Sequence, residues 1–148
     1  MNVDVRTELV IDRPVDVVAG YAADPGNAPH WYANIESVEW KTSPPATVGS
    51  RVAFVARFLG RRLEYTYELA EHVPGSRLVM RTNEGPFPME TTYTWHPVGT
   101  GSTRMTLRNR GEPTGFSKLL SPLMAPAMRW ANRKDLAALK AILEAGGP

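Results

Sequence analysis

A chain of 148 residues, 43% of them hydrophobic, is long enough to bury one proper core and short for two domains, so a single domain spanning 1–148 is expected. The absence of cysteine excludes disulfides, Cys-containing zinc sites and thiol nucleophiles, and suits a reducing cytoplasm. The net charge of +2 is uneven: residues 104–144 hold eight Lys/Arg against three Asp/Glu, which is +5 and leaves −3 for the rest, so one region is basic.

Asp4, Arg6 and Glu8 break the N-terminal stretch that a signal peptide would keep apolar, and Pro122 and Pro126 break the longest near-apolar run, 119–128. Neither stable membrane insertion nor a membrane span is expected. Val3, Val5, Thr7, Leu9 and Ile11 alternate with Asp4, Arg6, Glu8 and Val10, the period of a first strand with one buried face. Asp12-Arg13-Pro14 then starts a short helix that Asp24-Pro25-Gly26 stops. A second brief helical turn at Asn27–Tyr32 carries Trp31 and Tyr32, which either pack a core corner or stand at a cavity mouth.

From Val38 to Gly111 the pattern is that of strands. Val38 and Trp40 belong to the second, Ser50–Phe58 forms the third, and Leu59-Gly60 reverses the chain into a fourth with Leu63, Tyr65, Tyr67 and Leu69 inward. Pro74-Gly75-Ser76 leads to a fifth strand at 77–82, and the loop 83–88 to a sixth, where Thr91, Tyr93 and Trp95 oppose Glu90, Thr92, Thr94 and His96. The turn 98–102 opens a seventh, with Met105, Leu107 and Asn109 on its inner parity. Residues 116–145 then carry apolar side chains three or four apart, the stripe of one long helix in which Pro122 and Pro126 impose a kink or a broken start. After the bend the stripe drifts from Leu120, Met124 and Met128 to Leu136, Leu139 and Leu143, so the two halves should meet different partners.

Several landmarks in this order resemble the START-like (SRPBCC) superfamily and its polyketide cyclase/dehydrase branch. They are Pro14 opening the first helix, Asn27 with Trp31 in the second, Val48-Gly49-Ser50 before a strand, Tyr67-Glu68-Leu69 running to Pro74-Gly75 with Leu78 beyond, and the proline-containing last helix. The resemblance covers nearly the whole chain. It implies an α+β helix-grip fold: a curved antiparallel sheet of about seven strands wrapped around the long C-terminal helix, with two short helices between strands one and two. It also implies a cavity for a hydrophobic or polycyclic small molecule, in a family that runs from cyclases and dehydratases to lipid carriers, so the fold does not choose the function.

The expected cavity wall is Phe54, Phe58, Tyr65, Tyr67, Tyr93, Trp95, Met105 and Leu107 from the sheet, with Leu120, Met124 and Met128 from the helix, Trp31 at the mouth and Asn109 as the inward polar group. The same side chains could instead fill a closed core. Of the three histidines only His30, beside Trp31, is placed to approach a cavity mouth, and no catalytic set is identifiable. No metal is expected from three isolated histidines, and no cofactor, since Gly99-Thr100-Gly101-Ser102 joins two strands and lacks the rest of a nucleotide fingerprint. The basic side, Arg104, Arg108 and Arg110 on the last strand and Arg129, Arg133 and Lys134 on the helix, has no aromatic between the strand arginines to stack a base, so no nucleic acid is expected. The leading expectation is binding of a hydrophobic small molecule by a monomer or weak homodimer. The alternatives are a polyketide aromatase/cyclase or dehydratase, and an interaction protein that turns the basic helix face to a membrane or protein.

Overall fold

The computed structural model describes residues 3–112 and 121–146. Seven strands, β1 (Val3–Ile11), β2 (Ile35–Trp40), β3 (Arg51–Phe58), β4 (Arg61–Val73), β5 (Arg77–Glu84), β6 (Met89–Val98) and β7 (Ser102–Gly111), form one antiparallel sheet in the order β1-β7-β6-β5-β4-β3-β2. From β2 to β7 each strand pairs with the next in sequence, as short turns require, and only β1 pairs at a distance, with β7. Two short helices, α1 (Val15–Ala22) and α2 (Ala28–Trp31), carry the chain from the β1 edge to the β2 edge, with a single 3-10 turn at Pro25–Asn27 between them. The long helix α3 (Ser121–Glu144) lies in the concave face. This is the α+β helix-grip architecture.

The alternation read from the sequence sets the faces. Val52, Phe54 and Ala56 of β3 are buried while Arg51 and Arg57 are exposed, and on β1 the buried Val3, Val5 and Thr7 alternate with the exposed Asp4, Arg6 and Glu8. Register shifts in β2 between Ile35 and Ser37, and between β4 and β5 at Thr66/Tyr67 and Leu69/Glu71, add local bends that curl the sheet around the helix.

Pro122 falls in the first turn of α3, where the missing N–H costs nothing, and Pro126 lies inside the helix, one turn on. The described helix runs unbroken from Ser121 to Glu144 through Pro126. Phe116 to Leu120 lie outside the described residues. The drift of the apolar stripe has the expected result. Met124 packs with Val3 and Val5, whereas Leu136, Leu139 and Leu143, none more than 1% exposed, join Val18, Trp95, Met105 and Leu107 in the main core. At about 1.5–3 kcal/mol for each fully buried large apolar side chain, that end of α3 is the better anchored. It is also tied to the end of β1: the Arg13 guanidinium donates to the Leu143 carbonyl (2.6 Å), and the Asp12 N–H donates to Glu144 (2.8 Å). A cation at the last carbonyls suits the negative end of a helix.

Candidate functional site

Toward its N-terminal half α3 presents Met124, Met128, the small Ala131, and the polar Asn132 and Asp135 to the sheet, and between them and the strands lies a cavity of about 130 Å³. Its sheet side is formed by Phe54, Ala56 and Phe58 of β3, Leu63, Tyr65 and Tyr67 of β4, Met80 of β5, Thr91 and Tyr93 of β6 and Asn109 of β7, with Tyr32 and Ile35 beyond α2 closing one flank. Phe54 stacks on Tyr65 with ring centroids 5.5 Å apart, and Tyr67 meets Tyr65 edge-on at 5.0 Å. Unbranched methionines opposite fixed rings give one soft wall and one stiff wall.

Of the side chains that the sequence proposed for this cavity, the structure brings together Phe54, Phe58, Tyr65, Tyr67, Tyr93, Asn109, Met124 and Met128. Trp95, Met105 and Leu107 share the inward parity but sit at the filled end under α1 and the leucines of α3, at most 2% exposed and away from the cavity. Parity gives a residue's face, not its height along the strand. Trp31 is also displaced from the site. It is 2% exposed and packs behind the wall, 4.1 Å from Tyr32 and 5.8 Å from Tyr93 between ring centroids, and it is Tyr32 that reaches the cavity. Leu120 lies outside the described residues. His30 is exposed, 3.4 Å from the Tyr21 hydroxyl, and takes no part in the cavity; Glu90 is held by Arg81 and Arg110, and His96 is exposed.

The polar groups of the wall form two sets. The first is a relay across the sheet to the helix. Thr91 donates its one hydroxyl proton to Asn109 Oδ1 (2.6 Å), so the Tyr67 hydroxyl, 2.8 Å from Thr91 Oγ1, must donate to Thr91. Asn109 Nδ2 donates onward to Asn132 Oδ1 (3.1 Å). The relay ends on Asn132 Nδ2, a buried donor with no partner among the described residues. The second set is the hydroxyl pair Tyr32–Tyr93, at 2.6 Å, near the Asp135 carboxyl.

Asp135 is 2% exposed. Burial pushes its carboxyl up to about 6, against the opposing pull of the Ala33 N–H, which donates to Oδ1 at 3.0 Å, and of Lys134. Burial also raises Tyr67 to about 12 and holds Tyr32, Tyr65 and Tyr93 well above the usual phenol range. The tyrosines are therefore neutral donors and acceptors near neutral pH, and Asp135 is the wall's proton acceptor. Asn132 and Asp135 did have a sequence signal. They follow Met124 and Met128 at helical spacing and precede Leu139, so they occupy positions of the buried stripe itself.

A family model described as polyketide cyclase / dehydrase and lipid transport matches residues 2–144. The chain belongs to this family. As a polyketide cyclase/dehydrase family member it is similar to a solved protein from Thermus thermophilus with 25% identity and a TM-score of 0.82, covering 98% of this chain and 99% of that one. The ZhuI aromatase/cyclase from Streptomyces sp. R1128 has 16% identity and a TM-score of 0.80, with 98% of each chain covered. A START superfamily protein from Mycobacterium smegmatis has 14% identity and a TM-score of 0.74, over 95% of this chain and 97% of that one. At those identities the last two establish the shared fold of the family and no more. No curated protein matches the sequence. Among the described residues, no helix is long and apolar enough to cross a membrane.

Proposed function

We propose that this polyketide cyclase/dehydrase family member binds a small, largely apolar molecule of about one ring, held by the aromatic wall and oriented by the end of the hydrogen-bond relay. The observation that carries this reading is Asn132 Nδ2, a buried donor in the wall of a cavity that has no partner among the described residues. Leaving such a group unpaired costs about 1–3 kcal/mol, and a ligand oxygen accepting from it removes that cost. Size supports one ring: an apolar cavity of about 150 Å³ takes benzene, and the cavity here measures about 130 Å³. The test is calorimetric titration with benzyl alcohol, with Tyr67→Asp and Asn132→Ala as controls. Saturable binding, lost in Tyr67→Asp and weakened about tenfold in Asn132→Ala, is expected. No saturable binding by the folded protein overturns the reading.

One observation favours a second reading, that of an aromatase/cyclase or dehydratase. Asp135 supplies a wall carboxylate whose titration lies near neutrality, as general base chemistry needs, and the family's description as polyketide cyclase / dehydrase is consistent with it. Turnover of an enolisable polyketide-like ketone that vanishes in Asp135→Asn supports it. Tight binding without turnover across a wide substrate panel removes it.

A further inference from the structure

We infer that the molecule seated against Asp135 is a protonated amine on a ring-sized apolar body; the inference rests on the ligand-binding reading above and adds the charge class of the ligand. Asp135 lines the cavity with one oxygen engaged by the Ala33 N–H, and its second oxygen receives no hydrogen bond from the described residues. The groups packed around it are uncharged or distant. Tyr32 beyond α2 and Tyr93 on β6 are neutral hydroxyls paired with each other, Tyr65 and Tyr67 on β4 are neutral, and Asn132 on its own helix is an amide. The cation acting on Asp135 is Lys134, which is exposed and stands over the Trp130 ring at 4.4 Å, on the solvent side of α3. Two arginines contribute to the cavity lining, and both face carboxylates of the protein: Arg57 pairs with Glu36, and Arg110 reaches Glu90 through Nη1 (3.4 Å), while its buried Nε, 3.9 Å from Asp4, makes no hydrogen bond to the described residues.

A ligand carboxylate seated against Asp135 meets a like charge there, and the lining arginines already face Glu36 and Glu90. A neutral ligand leaves the buried charge uncompensated. An ammonium group pairs with the free carboxylate oxygen and lies among the rings of Tyr65, Tyr67 and Tyr93, whose faces are negative. Ionisation of Asp135 is required for that pairing. Since burial sets its carboxyl at about 6, amine binding should weaken as the pH falls through that value.

The experiment is calorimetric titration of the intact protein with benzylamine, benzyl alcohol and benzoate at about pH 8 and about pH 5, with Asp135→Asn alongside. Benzylamine, protonated at both pH values, should bind at least about tenfold more tightly than benzoate at the higher pH, and should lose about tenfold at the lower. Benzyl alcohol should change little with pH. In Asp135→Asn the preference for the amine should disappear while benzyl alcohol still binds. Benzoate binding as tightly as benzylamine at about pH 8, or amine affinity indifferent to pH, overturns the inference while leaving the cavity reading standing if benzyl alcohol binds. Absence of binding by all three overturns both. If Asp135→Asn does not fold, the pH series on the unaltered protein decides.

Discussion

Replacing Asp135 by asparagine should stabilise the protein, and only above a definite pH. The side chain is 2% exposed, and its carboxyl titrates at about 6 in the folded chain against an ordinary value of 3.8. Because the folded value lies above the unfolded one, the folded state holds the proton more tightly. The stability linked to this group is fully present below about pH 4 and is lost as the pH rises to about 6. A displacement of about two pH units corresponds to about 3 kcal/mol. Asparagine keeps an oxygen for the Ala33 N–H and cannot ionise, so it escapes that loss. Urea denaturation of both proteins at several pH values should give a stability difference that climbs from its acid plateau by about 3 kcal/mol and then levels off. In a chain of this size that is roughly a 10 °C shift in Tm. Any offset that does not vary with pH belongs to the contacts of the new amide. A difference that is flat from acid to neutral pH would refute the claim that a buried, unpaired charge sits in the cavity wall.

Leu139→Ala should cost about 2–5 kcal/mol in denaturant unfolding, because a fully buried side chain is removed from the filled end of the fold, and a loss under about 1 kcal/mol would show that this end is not close-packed. Tyr67→Phe removes the first donor of the relay and leaves Thr91 still donating to Asn109, so a loss of about 1 kcal/mol is expected by the same assay. In Gly85→Ala the new Cβ would lie 2.9 Å from both Tyr65 Cβ and Thr82 Cγ2. That should cost about 1–3 kcal/mol and shift the Tyr65 ring resonances, whereas unchanged resonances would mean that the loop yields and the cavity wall does not.

The fold was legible because its signals are local. Alternation at 52, 54 and 56 and at 63, 65 and 67 fixes which side chains face inward, and turns at Leu59-Gly60 and Pro74-Gly75 force neighbouring strands to pair. The cavity was less legible, because whether inward side chains meet each other or a space depends on how far α3 extends leucines toward them. Trp95 and Tyr67 have the same parity, and only the three-dimensional position of Leu136 and Leu139 separates a filled end from a hollow one. Asp135 and Asn132 hold positions of the buried stripe, but their neighbours Arg133 and Lys134 make the segment look like a solvated basic face. Of that face, the strand arginines Arg108 and Arg110 are engaged by Asp4 and Glu90, and the exposed Lys134 lies over Trp130.

The pairing of β1 with β7 has a consequence for how the protein is made. Every other neighbouring pair in the sheet is complete as soon as the next strand emerges, but Val5 waits for Asn109 and Ile11 for Thr103. At about 5–20 residues per second, the ribosome leaves β1 without its strand partner for roughly 5–20 s. During that interval its apolar side chains Val3, Val5, Leu9 and Ile11 have no sheet neighbour to cover them. Substitutions that slow the appearance of β7 should therefore lower yield without altering the finished fold.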